Sequence, residues 1–434
     1  MTQTRQAVVE FLRSSPLAAA FATTAIGALF CTHLLRQLMG DAGYGAVITG
    51  LCVLGGAIFV ARLREVRTFE IMPTTLLLLL VWLLLTMFWS RSMLGTIGGW
   101  MQLAGPTFLA IVVAQFRDTL QTLRATADVL RVLLTGSLAI EILSGILLDL
   151  PVPFLGIAGN LAEGGPIQGL FGTRTMLGLV TIIALITFLV EWRTRSVAPG
   201  LSVYSVSLAV LLAVFTGSPI VLGMAFVAGL ATAVLVVVRR TPASRRTLLQ
   251  WSLASVLAIA LMLVYAFRRP LVYWLNAEPD FFTRSELWNE VLDMAALRPV
   301  QGWGWVGTWP DHLMPYTFIR FATGQEHGSA LNAWMDVLLQ AGAVGVVLFL
   351  GFAGLALARA WVTASERRST LYTWPPLVII VLLADSVVTS SLLGGFGWFL
   401  LVVCATRASL VRGWRSTLNT GPESPGWRVP GPRE

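Results

Sequence analysis

Apolar residues run along this chain in blocks of about twenty, the length a helix needs to cross roughly 30 Å of hydrocarbon. Twelve such blocks stand near 16–35, 44–62, 73–90, 96–116, 127–149, 173–191, 201–216, 219–238, 248–267, 329–358, 374–391 and 393–411. No water reaches the middle of a bilayer to satisfy backbone groups, so each block is expected to be helical. The seventh is short, and only Leu392-Leu393-Gly394-Gly395 divides the last two. The first follows a polar start (Arg5, Glu10, Arg13) without a small-residue cleavage site, and further blocks follow at once, so it reads as a span rather than a cleaved leader. The pattern predicts an all-α, polytopic transmembrane bundle over 1–415 with about twelve spans. A disordered cytoplasmic tail is expected over 416–434, where Pro422, Pro425, Pro430 and Pro432 stand among polar residues.

Composition agrees. Of 434 residues 56% are hydrophobic and only 12% charged, about half the charge of a soluble domain. All 30 basic residues are Arg. With a cytoplasmic N-terminus and one crossing per block, only Arg36, Arg91, Arg174, Arg268, Arg269, Arg284, Arg298 and Arg320 fall outside. Each even-numbered block is followed by an inside cluster, from Arg62/Arg64/Arg67 to Arg407/Arg412/Arg415, as the positive-inside rule requires. Both termini are therefore expected in the cytoplasm. The net charge of +8 reads as topology and contact with anionic lipid, and nucleic acid has no support. Cys31, Cys52 and Cys404 lie inside blocks at no metal-ligand spacing, and no phosphate loop, dinucleotide fingerprint or zinc-protease motif occurs.

Two connections are long, and both face outside. The first, 150–172, is rich in Gly and Pro; the second, 268–328, separates spans nine and ten. A long loop with its own structure is usually functional. This one holds five of the outside arginines, Trp274, Trp288, Trp303, Trp305, Trp309, His312 and His327. Tryptophan also collects at membrane interfaces for amphipathic reasons alone, so packing competes with ligand contact at each of these positions. An outside arginine runs against the positive-inside rule. It needs either an acidic partner (Asp280, Glu286, Asp293) or an anionic ligand, and a phosphate fits its planar fork best. Residues 283–294 have helical periodicity, with Leu287, Val291 and Met294 on one stripe, and Arg298-Pro299 ends the helix. Beyond Gln325–Ser329, the tenth block opens with Asn332 and Asp336 and runs through Gly342 and Gly345.

These residues resemble the O-antigen ligase and polymerase superfamily of bacterial envelope enzymes. The matching segments are Arg284-Ser285-Glu286-Leu287-Trp288, then Arg298-Pro299-Val300-Gln301-Gly302-Trp303-Gly304, then Glu326-His327 leading to Gln340-Ala341-Gly342-Ala343-Val344-Gly345. Gln168–Gly178 and Thr216-Gly217-Ser218 add two more. The likeness covers most of the chain in layout, but specific residues only in about 165–180 and 280–350. It implies glycosyl transfer on the outer face of the bacterial cytoplasmic membrane, from an undecaprenyl-diphosphate-linked glycan to a glycan, lipid or protein acceptor hydroxyl, with neither metal, nucleotide nor other cofactor. Aligned with the family, Leu331 stands where its histidine usually does. Either His327, one helical turn earlier, takes that role or the alignment slips.

The chemistry suits these residues. A hydroxyl nucleophile needs a base of near-neutral pKa, and His327 is the first choice, His312 the second and His33 the third. Arg174, Arg284 and Arg320 are the candidates to neutralise the leaving diphosphate. Trp288, Trp303 and Trp305 are candidates to stack on sugar rings, with Asn332 and Asp336 as polar contacts at the helix mouth. A repeat-unit polymerase of the same superfamily is the alternative within the class. A transporter or flippase of envelope precursors is the alternative outside it, with Glu141, Asp336 and Asp385 as intramembrane acids.

Overall fold

A computed structural model describes residues 2–63, 71–162, 164–267 and 278–412. Arg64, Arg67, Arg268, Arg269, Trp274, Arg415 and the 416–434 tail lie outside the described residues. The rest is helical, with no strand among the described residues. In chain order the helices are α1 (Thr2–Arg13), α2 (Ser15–Phe30), α3 (Thr32–Ala61), α4 (Thr74–Leu85), α5 (Met93–Phe116), α6 (Thr119–Ile142), α7 (Arg174–Arg193) and α8 (Pro199–Phe215). They continue with α9 (Pro219–Arg240), α10 (Ala243–Ala266), α11 (Glu278–Ala296), α12 (Tyr316–Thr323), α13 (Ala333–Glu366), α14 (Trp374–Asp385) and α15 (Gly395–Arg412). Six stretches, among them α3, α5, α7, α9 and α13, are long and apolar enough to cross a membrane, and five shorter apolar helices accompany them.

Helix starts follow local chemistry. Ser92 Oγ accepts from Gly95 N–H at 3.0 Å to open α5, and Asp118 with Gln121 forms a reciprocal capping box on α6. Proline stands in the first turn of α2, α8, α9 and α14, where no intrahelical donor is lost. Hydrogen bonds between distant segments sort the ends of the bundle. Arg13 donates to Ala61 O (2.7 Å), Gln115 to Ile71 O (3.1 Å), Arg407 to Ala114 O (3.1 Å) and Arg239 to Arg367 O (3.1 Å), all at one arginine-rich end. At the other end, Trp89 donates to Gln301 O (3.1 Å), Ile167 N–H to Phe215 O (3.1 Å) and Ala333 N–H to Ser386 O (2.9 Å). Successive long helices therefore run in opposite directions. Helix α15 lies at the centre: Phe399, Leu400, Leu401, Val402, Val403 and Cys404 are all fully buried, as expected of a helix apolar on every side. On the outside of the bundle the exposed residues are large and apolar, including Leu222, Phe226, Leu248, Trp251 and Met262. Such a surface suits hydrocarbon and not water.

Three boundaries differ from the pattern. The first block is expected to end at 35, but α2 stops at Phe30 and the chain restarts at Thr32. It then breaks again at Gly40 (φ 72°, ψ 176°), so His33 and Arg36 sit on a short arm ahead of the main run of α3. The eleventh block is expected to reach 391, but α14 ends at Asp385 in a hydroxyl-rich turn. Helix α13 is broken at Gly342 (φ 69°, ψ −171°), a conformation that only glycine adopts readily. Apolar residues continue through Gly342, which is why that break is silent in the pattern.

Candidate functional site

The break in α13 is where the long loop attaches. Gly342 leaves backbone groups without helical partners, and the segment 299–304 supplies them. Ala343 N–H donates to Pro299 O (2.8 Å), Trp303 N–H to Leu339 O (3.0 Å) and Gly304 N–H to Gln340 O (2.8 Å). The freed Ala341 carbonyl accepts from Trp82 Nε1 at 2.9 Å. Contact is so close that a Cβ on Gly302 would lie 2.6 Å from the Gln340 carbonyl, and one on Gly342 would lie 2.2 Å from Val300 O. Gln340, itself buried, completes the joint: its Oε1 accepts from Val306 N–H (2.8 Å) and Gly307 N–H (3.0 Å), and its Nε2 donates to Gly307 O (3.1 Å).

Around this joint the loop has a small core of its own. Leu287, Val291 and Met294 of α11 are buried as one stripe, as their spacing predicts, against Trp303, Trp309, Tyr316, Ile319 and Leu339. Burial pushes the Tyr316 hydroxyl well above the ordinary tyrosine range, with the negative Asp336 adding to it. The tryptophans divide here. Trp303 is buried, donates to Met294 O (2.9 Å) and carries the Arg298 guanidinium 4.4 Å from its ring centroid. Trp288 donates to Ala330 O at 2.9 Å. Both are occupied in holding the loop together. Trp305 donates to Gly99 O (3.3 Å) and lines a cavity.

That cavity, about 830 Å³, lies at the loop end between α2, α3, α5, the 305–308 and 328–329 segments, α13 and the start of α15. Its walls differ. One is polar: Asp336 and Gln340 of α13, Ser329, and Ser390 and Ser391 from the turn after α14. Another is largely apolar, Ile48, Met101, Pro106 and the glycines Gly45, Gly98 and Gly99 of α3 and α5, with Thr49 and Gln102 among them. The third is His33, Arg36, Asp41 and Tyr44 around the Gly40 break. There Arg36 pairs with Asp41 (3.2 Å) and lies over the Tyr44 ring, whose hydroxyl is 3.2 Å from Thr32 Oγ1.

Two acids anchor the polar wall. Asp336 accepts from Ala330 N–H (3.1 Å) and from the Ser390 hydroxyl. Asp385 accepts from the Ser391 and Thr389 hydroxyls, while its Oδ1 is buried without a hydrogen-bond partner among the described residues. Arg284 reaches the same turn, donating to Val388 O (2.6 Å) and to Leu331 O (3.3 Å). Leu331 is held at φ 52°, a conformation costing a non-glycine residue about 1–3 kcal/mol.

The remaining expected residues are spread out. Asn332 caps α13, its Oδ1 accepting from Trp334 N–H (2.9 Å) and Met335 N–H (3.3 Å). Arg320 is on the surface, 3.7 Å from Glu326. Arg174 is exposed at the first turn of α7, between the cavity-lining Phe171 and Met176. His312 is exposed. His327 does not line the cavity, although Gly328 and Ser329 beside it do. Burial lowers its imidazole below the ordinary histidine value. The structure thus brings Trp305 and Asp336 together in one cavity and leaves Arg284, Trp288, Trp303, Asn332 and His327 in its supporting shell. Arg174 and Arg320 lie at the surface of the same end.

No protein-family model matches the chain, and no curated protein does. The residues that sequence reasoning passed over are Arg36, Tyr44, Ser390 and Ser391. The signals available for them were a run of hydroxyls (Thr389, Ser390, Ser391) between two apolar blocks and an outside arginine three residues after His33.

Proposed function

We propose that this protein is a membrane glycan transferase of the O-antigen ligase kind. It moves an oligosaccharide or polysaccharide from an undecaprenyl-diphosphate carrier to an acceptor hydroxyl at the outer face of the bacterial cytoplasmic membrane. The observation that carries this reading is the cavity of about 830 Å³ with one largely apolar and two polar walls at the end of an apolar bundle. Its size is that of a small-molecule site, roughly 300–1,000 Å³. The apolar wall of α3 and α5 suits a lipid carrier. Asp336, Gln340 and Ser390 suit sugar hydroxyls, which both donate and accept. Arg174, at the first turn of α7, stands where the helix dipole also favours the leaving diphosphate. A histidine of this end takes the acceptor's proton. With about twelve spans and cytoplasmic termini, the cavity opens on the outer side.

The test is a transfer assay on the purified full chain with a lipid-diphosphate-linked glycan and an acceptor, run with chelator and without nucleotide. Glycan leaving the lipid and appearing on the acceptor is the expected result, and product length separates ligase from repeat-unit polymerase. Turnover that depends on ATP or metal overturns the mechanism. Movement of intact lipid-linked glycan across proteoliposomes without transfer replaces the enzyme with a flippase.

A further inference from the structure

His33 is the imidazole that lines the cavity, and it is positioned with more care than its neighbours require. Its Nε2 is buried and meets no hydrogen-bond partner among the described residues, a state that His327 Nε2 shares, but His327 does not line the cavity. Against the ring lies Gly172 (φ 80°), so close that a Cβ there would be 2.5 Å from both Cε1 and Nδ1. The turn carrying Gly172 is itself fixed from beneath. The buried Glu141 Oε1 accepts from Gln168 N–H (3.0 Å) and Gly169 N–H (2.8 Å), and Ser137 Oγ accepts from Leu170 N–H (3.2 Å). Thr173 then caps α7 through Met176 N–H at 3.2 Å. A buried carboxylate in α6 thus sets a turn whose glycine backs the imidazole, and the break at Gly40 lets the His33 arm fold against it. An imidazole that lines an open volume and carries an unpartnered ring nitrogen has unused hydrogen-bonding capacity for a ligand there.

Resting on the transfer reaction proposed above, we infer that His33, and not His327, is the catalytic base. The His33 imidazole takes the proton of the acceptor hydroxyl as its oxygen bonds to the anomeric carbon. The bond from that carbon to the diphosphate oxygen breaks, its electron pair leaving with the diphosphate. The proton rests on the imidazole until the departing diphosphate or water removes it. Glu141 and Gly172 are positioning residues.

The test compares His33→Ala, His33→Gln and His327→Ala in the transfer assay on the full chain in detergent or nanodiscs, with and without added imidazole. Both His33 variants are expected to lose on the order of 10²–10⁴-fold in kcat. Added imidazole is expected to restore His33→Ala in a concentration-dependent way, because the vacated volume opens on the cavity. His327→Ala is expected to keep kcat within a few-fold of wild type. Should His33→Ala fold poorly, His33→Gln preserves the bulk against Gly172 and carries the comparison. A His33→Gln protein that turns over like wild type, or a kcat loss confined to His327→Ala, overturns the assignment while leaving the transferase standing. A wild-type protein that transfers nothing removes the transferase reading and this inference together.

Discussion

Toward the arginine-rich end, Arg131 is enclosed between α6, α7 and α8; at the loop end, Asp336 and Asp385 are enclosed where α13 and α14 meet. The first cluster is built on ion pairs. Arg131 donates to Glu191, to Asp128 (2.7 Å) and to Ser205 Oγ (2.8 Å), with the Phe188 ring centroid 5.1 Å from its guanidinium. Charge meets opposite charge inside packed helices. The second cluster holds two carboxylates met by the hydroxyls of Thr389, Ser390 and Ser391; the Arg284 charge acts on Asp385, while Asp336 faces an open volume. Burying a charge is costly unless it is paired. A charge met by an opposite charge is part of a joint; a carboxylate held by neutral donors beside a cavity, as Asp336 is, keeps the capacity to bind something else.

Breaking the ion-paired cluster is expected to produce the largest loss of stability. Arg131→Ala strands Glu191 and is expected to cost about 3–5 kcal/mol, read as a fall in melting temperature by tryptophan fluorescence in detergent. Pairing Arg131→Met with Glu191→Gln is expected to recover most of it; no recovery would show that the pair does more than cancel charge. Asp336→Asn is expected to act oppositely, raising the acceptor KM about tenfold, or ~1.4 kcal/mol, with little change in melting. Trp303→Phe removes the bond to Met294 O and is expected to cost about 1 kcal/mol of stability with KM unmoved, since the indole is buried in the loop core. A raised KM would return Trp303 to the sugar site.

The smallest effect concerns pH. Burial holds the His327 imidazole below its ordinary value, so the unfolded chain takes up a proton more readily than the folded one. The stability this gives is fully present above about pH 6.5 and is lost as pH falls from there toward the folded value. A slightly lower melting temperature at pH 5 than at pH 7.5 is expected, and His327→Gln is expected to abolish the difference.

Most helices were legible because each apolar block reports its own solvent: the residues of α7, α8, α9 and α15 fall within a few positions of their blocks. The α11 stripe was legible for the same reason, since i, i+4 and i+7 neighbours share a face. The cavity was not. Ser390 meets Asp336 across 54 positions, Trp303 meets Leu339 across the break in α13, and Gly172 meets His33 across most of the N-terminal half. Periodicity carries no information on such pairings. The same limit explains Trp288 and Trp303, whose aromatic character suits sugar and core equally until their N–H partners are known. Two of the three histidines stand in the long loop, and the one on the cavity wall lies outside it.

Surface loops ordinarily absorb insertions, because few of their backbone groups are committed. The stretch 299–307 is an exception. Its amides and carbonyls are matched in register to a fixed gap in α13, and its glycines leave no space for a side-chain atom, Gly302 against the Gln340 backbone and Gly304 against Ser90. One extra residue within it shifts every pairing by one and leaves the broken helix with unsatisfied polar groups inside the bundle. An insertion between 310 and 315, which the joint does not use, leaves that register intact. A one-residue insertion at 301 is therefore expected to abolish accumulation where the same insertion at 312 does not.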